Sequence, residues 1–282
     1  MSFFYLRTSI LKAGSGKSAV ASASYQSATQ LHDDTLGKKF QYRNKEEVVF
    51  SEVLLPEYAP KEFQDREVLW NEVQKFENKG QKNSRYARQF IIALPNSWSR
   101  EECIEHSREF IQKALVDKGM IADWAFHAKN ENDPNKKNFH IHILCTVRSF
   151  NSDGTWAMKA KKEYAKDENG NRIPEIDQKT GEQKIRMKKK NGKLYPEKIW
   201  KRVEVPLQSS EWNKRQFLQE VKRQWAETCN KYLAPEDHID HRSYIERGIN
   251  RVPYIHEALG SREALERGVV FQSVRELSLI HI

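Results

Sequence analysis

The chain has 282 residues, of which 38% are hydrophobic and 31% charged, with a mean hydropathy of −0.83; it is long enough to bury a full core under a strongly polar surface. Lys and Arg number 48 against 39 Asp and Glu, a net charge of +9, and the resulting field attracts polyanions, of which nucleic acid is the commonest. The three cysteines, Cys103, Cys145 and Cys229, lack CxxC spacing, which excludes a disulfide framework and a cysteine metal site, while the start "MSFFYLRTSILKAGSG" is not a secretory signal and no apolar run reaches membrane-spanning length; a cytoplasmic protein without membrane insertion is expected.

Residues 2–11, "SFFYLRTSIL", read as a strand that ends at the turn glycines Gly14 and Gly16. "KSAVASASYQSATQL" is dominated by small residues suited to a closely packed helix, and Tyr25 lies on it. "VVFSEVLLP" is a second strand, followed by a helix over "PKEFQDREVLWNEVQKFEN", where Phe63, Val68, Leu69, Val73 and Phe76 keep helical spacing. "RQFIIALP" is a strand stopped by Pro95, and "SREECIEHSREFIQKALVDKG" opens with Ser99 and Glu102 in capping-box spacing and closes at Gly119, marking a helix. "IADWAFHAK" and "NFHIHILCTV" are strand-like runs joined by the polar connection "NENDPNKK", the pattern of an antiparallel hairpin with a long loop. Residues 159–198 form a basic insertion with turn dipeptides, a candidate hairpin; "SSEWNKRQFLQEVKRQWAETCNKYL" reads as one long amphipathic helix capped by Ser209 or Ser210, and a last helix-like stretch is "SREALERG". The element mix is α+β.

"GSGKS" does not make a phosphate-binding loop, because the glycine required five positions before Gly16 is Leu11. The stronger pattern is His127-x12-His140-x-His142. Residues two apart on a strand project from one face, so His140 and His142 point together, and hairpin pairing places His127 opposite them. Three imidazoles with open coordination positions suit a catalytic divalent cation; an HxH pair alone would equally fit a polar sheet face. A free phenol, with a pKa of about 10, is a poor nucleophile, but Tyr25 can attack a phosphodiester polarised by a metal. Without the histidines it would read as a buried helix tyrosine. Asp33 and Asp34 are candidates to orient a ligand histidine, with a solvated turn as the alternative. Lys12 and Lys17 flank the tyrosine helix, Arg148 follows the histidine strand, and Arg186, Lys188, Lys189 and Lys190 lie in the insertion; these are the candidate phosphate contacts. His32 and His106 read as surface residues.

With "GSGKSAVASASYQSA", "SEVLLPEYAPKEFQDREVLWNEV", "YARQFIIALP", "DKGMIADWAFH", "FHIHIL", "IDHRSYIERGI" and "PYIH" in order along most of its length, the chain resembles the relaxases of the MobA/MobL family, tyrosine strand-nicking enzymes of plasmid mobilisation in the HUH endonuclease superfamily. The resemblance implies a central antiparallel β-sheet with helices on the face opposite the histidines, a palm-like relaxase domain over 1–282 carrying the 159–198 insertion and a helical C-terminal extension at 207–282. It implies Tyr25 as nucleophile and His127, His140 and His142 as metal ligands, with Mn²⁺ or Mg²⁺ in use and Zn²⁺, Ni²⁺ or Co²⁺ also suited to the donor set. The implied partners are single-stranded DNA of a transfer origin in a bacterial cytoplasm, accessory DNA-processing proteins and a type IV coupling protein. His238, His241 and His256 fall in its structural tail. Two features depart from the pattern: Gln89 stands where such relaxases often have a carboxylate and cannot serve as a base, and the connection between the histidines, "AKNENDPNKKNF", is long. The rival readings are a rolling-circle replication initiator and an origin-binding protein without cleavage activity.

Overall fold

The computed structural model describes residues 4–13, 18–42, 47–78, 84–129, 137–190 and 192–250. In chain order the elements are β1 (Leu6–Lys12), α1 (Ala19–Ser27), β2 (Leu31–Asp33), β3 (Lys38–Phe40), β4 (Val48–Leu54), α2 (Arg66–Glu77), β5 (Arg85–Ala93), α3 (Arg100–Ala114), β6 (Ala122–Lys129), β7 (Asn138–Thr146), β8 (Ala160–Tyr164), β9 (Ile185–Lys190), β10 (Lys193–Lys198), β11 (Arg202–Pro206), α4 (Gln208–Glu211) and α5 (Arg215–Tyr232). The chain divides into two compact units, 1–241 and 242–282. In the second, Ser243 and Glu246 exchange capping bonds, the Ser243 amide to Glu246 Oε2 at 2.8 Å and the Glu246 amide to Ser243 Oγ at 3.3 Å. Lys17, His256, the connection 130–136 and "SREALERG" lie outside the described residues.

Five strands pair antiparallel in the order β1-β5-β7-β6-β4. The alternation in "ADWAFHAK" and "NFHIHILCT" sends two unlike sets of side chains to the two faces. Trp124, Phe126, Ile141, Ile143 and Cys145 join Phe90 and Ile92 in one core, closed by Phe110 and Ile111 of α3 and by Val221, Trp225 and Cys229 of α5. Ser99 caps α3 with the expected capping box. The central antiparallel sheet and its helices on the face opposite the histidines are therefore as the resemblance implied.

The histidine face carries helices too. Ala19, Val20 and Ala23 of α1 and Leu69, Trp70 and Val73 of α2 form a second, smaller core over Leu11, Ala87 and Leu144 of the sheet. The physical reason is the run of small residues in α1, which lets that helix settle close to the strands. Its first turn is held by Ser18, whose Oγ accepts from Ala21 N at 3.0 Å, and by Gln74, whose Oε1 accepts from Ala19 N at 2.6 Å. It ends at Ala28 in the left-handed conformation, φ 53°, earlier than the apolar pattern of 17–31 indicated, and Leu31 begins a short hairpin instead.

The insertion is two nested antiparallel ribbons, β8 with β11 and β9 with β10, running to Pro206 rather than stopping at Lys198. The single helix expected over 209–233 is broken. Trp212 is buried between α4 and α5, and the long helix starts at Arg215, after an N-cap Lys214 in extended backbone that makes no side-chain cap, so neither Ser209 nor Ser210 caps it. His106 is likewise no surface residue: it is 6% exposed and stacked on Tyr232 with ring centroids 3.6 Å apart.

Candidate active site

Directly paired residues of antiparallel strands share a face, so the register builds the site row by row. In one row stand Val48, His127, His140 and Ala93; in the next, Ser51, Ala125, His142, Ile91 and Arg7. The three imidazoles converge as the spacing indicated: their ring centroids are 4.5–5.2 Å apart and one ring nitrogen from each lies within 4.8 Å of the others. His127 is 1% exposed, at the foot of the cluster.

Two backbone carbonyls orient these rings. His127 Nε2 sits 2.7 Å from Gln26 O, and a ring nitrogen facing a carbonyl oxygen carries the proton; Nδ1 is then the nitrogen with the lone pair. For His140 the assignment reverses, because Nδ1 lies 2.9 Å from Asn138 O and Nε2 is left to coordinate. Glu47 Oε1 lies 4.0 Å from His127 Nδ1, adding negative charge beside the cluster. Three nitrogen donors, two of them in tautomers set by carbonyl partners, fit a divalent cation.

Tyr25 is the residue before Gln26 on α1, so the helix that carries the phenol is the one that orients His127. Its side chain is 47% exposed and meets Tyr42 edge-on, with centroids 5.4 Å apart; it is not a core tyrosine. Gln26 is 1% exposed and its Nε2 donates to Asp123 O at 2.9 Å, so one residue ties α1 to β6 at two points. Asp123, 0% exposed, receives Arg66 Nε and Nη2 at 2.9–3.1 Å and Trp70 Nε1 at 2.7 Å. This buried pair anchors α2 to the strand that carries His127. Sequence reasoning passed over Gln26, Arg66 and Asp123, although an aspartate inside the apolar run "IADWAFHAK" signals a satisfied buried charge.

The other candidates are placed differently. Asp33 accepts from Ser18 Oγ, from Gln74 Nε2 at 3.2 Å and from Leu36 N at 3.0 Å, and so holds the start of α1. Asp34 lies 3.7 Å from His32. Neither orients a histidine of the cluster; carbonyl oxygens closer to the rings take that place. Gln89 stands one row away and accepts from Ser9 Oγ at 3.3 Å, so it is not a partner of the histidines either. Arg148 is engaged by Glu77, with Nε to Oε1 at 2.6 Å, and covers the Phe76 ring, so its charge is already shared with a carboxylate. Lys12 lines a cavity of about 450 Å³ along the β1 edge, with Arg7, Ser9, Gln89 and Ile91; Ile91 is the strand neighbour of His142. Arg186, Lys188, Lys189 and Lys190 are all exposed on β9, although Glu197 neutralises Arg186 at 2.6 Å and lies 3.6 Å from Lys188.

The MobA/MobL family model matches residues 17–267, nearly the whole chain. The chain belongs to the MobA/MobL family. Among MobA/MobL-type relatives, a probable mobilization protein MobA of Bifidobacterium longum is 35% identical over 95% of this chain and 45% of its own length. A conjugal transfer protein TraA of Agrobacterium fabrum is 30% identical over 100% of this chain and 24% of its own. The chain thus spans less than half the length of these two relatives. A solved structure titled "Molecular Basis of Vancomycin Resistance Transfer in Staphylococcus aureus" superimposes with a TM-score of 0.62 at 26% identity, covering 86% of this chain and 100% of that one. No helix among the described residues is long and apolar enough to cross a membrane.

Proposed function

We propose that this MobA/MobL chain is a relaxase domain, a metal-dependent tyrosine strand transferase that nicks one strand of a plasmid transfer origin and can rejoin it. The observation that carries the reading is the hydrogen bond between Gln26 O and His127 Nε2, which joins the tyrosine helix to the histidine cluster. His127, His140 and His142 would hold a divalent cation, Mn²⁺ or Mg²⁺ in use, through Nδ1 of His127 and Nε2 of His140 in the tautomers set by their carbonyl partners. When bound, the cation supplies Lewis-acid polarisation of the scissile phosphate.

Tyr25 attacks the phosphorus. The Tyr25 Oη–P bond forms, the P–O3′ bond breaks, the phenolic proton passes to solvent and the departing 3′ oxygen takes up a proton, leaving a free 3′ hydroxyl and a 5′-phosphotyrosyl link. Because one diester replaces another, the bond energy is retained and a 3′ hydroxyl can reverse the step. The carboxamide of Gln89 takes no proton in this scheme. Arg7, Lys12 and the basic ribbon β9–β10 supply charge for the DNA backbone. Single-stranded origin DNA is the substrate, accessory DNA-processing proteins and a type IV coupling protein are the partners, and the three buried free thiols accord with a reducing bacterial cytoplasm.

Incubation with an origin oligonucleotide and Mn²⁺ is expected to give a covalent adduct that chelator prevents and that Tyr25→Phe lacks, with the variant melting as the wild type does because the side chain is half exposed. An adduct that persists in Tyr25→Phe removes this residue from the reaction. Tight origin binding that is indifferent to chelator, with no adduct, would establish the cleavage-inactive alternative, and cutting only at a replication origin would establish the initiator.

A further inference from the structure

On the α3/α5 side of the sheet, away from the histidines, Arg88 is 6% exposed. Its register partners are Ile10 and Cys145; burial is the main influence lowering its pKa, Cys145 opposes the shift and Arg85 adds to it. Among the described residues its guanidinium makes one hydrogen bond, from Nη2 to Asn213 Oδ1 at 3.0 Å. Arg85 Nη1 reaches the same oxygen at 3.4 Å. Two guanidinium groups therefore converge on a neutral amide, and neither has a carboxylate partner among the described residues. A buried charge left in this state is costly.

The surroundings add positive charge. Lys159 lies within electrostatic reach of Arg85 and Arg148, and Glu77, the carboxylate acting on it, is already shared between Arg148 at 2.6 Å and Lys159 at 2.9 Å. Lys12 is the strand partner of Arg85. Asn213 immediately precedes Lys214, the N-cap of α5, where no side chain caps the helix and the first turn holds no acidic residue. The first-turn amides and the positive end of the dipole at that 18-residue helix attract anions.

We propose that Arg88, Arg85, Asn213 and the start of α5 form an anion site that takes a backbone phosphate of nucleic acid on the face of the sheet opposite the histidines. The site lies at the root of the insertion, where Leu207 N donates to Lys159 O at 3.0 Å, so a strand held here is also led toward the basic ribbon. The choice of nucleic acid rests on the proposed function; the existence of an anion site does not.

Two measurements on the full chain test it. First, thermal melting is compared in inorganic phosphate and in chloride at equal ionic strength. Second, the salt dependence of binding to a fluorescent oligonucleotide of arbitrary sequence is measured. Phosphate is expected to raise the melting temperature of the wild type but not of Arg88→Met, and the slope of log K against log salt is expected to fall by roughly 0.7–0.9 in that variant, the value for one lost phosphate contact. Arg85→Gln, at an exposed position, keeps the test open if Arg88→Met fails to fold, and should reduce both readouts. A phosphate shift that is absent from the wild type or retained in the variants overturns the site. A phosphate shift lost with an unchanged salt slope overturns nucleic acid as the ligand in favour of free phosphate. Failure of the Tyr25 adduct assay would alter neither readout.

Discussion

The two faces of the central sheet come from the same strands and are built on opposite terms. Behind β6 and β7, Trp124, Phe126, Ile141 and Ile143 meet the aromatic side chains of α3 and α5, Phe110 and Trp225 packing edge-to-face at 5.0 Å. In front, Asp123 and His127 hydrogen-bond with Gln26 of α1, while Ala19, Val20 and Ala23 of that helix pack over Leu11, Ala87 and Leu144. Large side chains hold two layers apart; small ones let backbone approach backbone. That difference explains why a main-chain carbonyl, Gln26 O, can reach a histidine ring in front, whereas behind the sheet α3 and α5 meet it through side chains. The back face holds the larger core and the front face carries the histidine cluster.

The comparison can be broken or sharpened by substitutions on either side. The largest effect belongs to His142→Ala, expected to lower Mn²⁺ affinity, measured by titration calorimetry, by more than the ~10–100-fold typical of losing an outer-shell partner, while the unfolding midpoint in urea stays near that of the wild type. Behind the sheet the pattern should invert. Trp225→Ala, at a fully buried position, is expected to cost about 3–5 kcal/mol in urea unfolding with Mn²⁺ affinity retained. If instead it abolishes metal binding in the folded protein, the division of labour between the faces is wrong.

A smaller effect is expected where the front depends on close approach. Ala23→Leu adds volume between α1 and the sheet and should cost about 1–3 kcal/mol; it should also weaken Mn²⁺ binding, because displacing α1 moves Gln26 O away from His127. Unchanged affinity at that reduced stability would show that the carbonyl contact does not orient the ring. The smallest effect is a pH dependence at the back. Burial against Tyr232 lowers the His106 pKa below 6.5, even though Glu105, Glu102 and Glu109 oppose the shift. The unfolded state then binds the proton more readily, so the stability this residue contributes is present above about pH 6.5 and lost as pH falls below it. His106→Phe keeps the stacking and should flatten the part of the melting-temperature decline between pH 7 and 5.5 that is due to this group; an equally steep decline would assign it to other residues.

How much of this was legible beforehand follows from how local each signal is. The HxH pair and His127 were readable because strand periodicity and hairpin pairing are local rules, and the α3 capping box was readable from Ser99 and Glu102 alone. The roles of Asp33, Asp34, Gln89 and Arg148 were not, because each is set by a partner distant in sequence: Asp33 by Gln74 on α2, Gln89 by Ser9 on the neighbouring strand, Arg148 by Glu77 at a separation of 71 residues. The broken helix at 212–214 escaped for the same reason. Trp212 is drawn into a core to which α3, β6 and β7 also contribute, and helical periodicity does not register that pull.

By itself, then, the amino-acid sequence determined the secondary elements with strong periodicity, the family, and the gathering of three histidines on one sheet face, since these depend on residue spacing along single strands and hairpins. Only the tertiary structure decided which nitrogen of His127 and of His140 keeps its lone pair, that α1 presses on the histidine face, and that Arg88 is buried without a counter-charge among the described residues. Those outcomes depend on hydrogen-bond geometry and on desolvation, which are properties of surfaces brought together from distant parts of the chain.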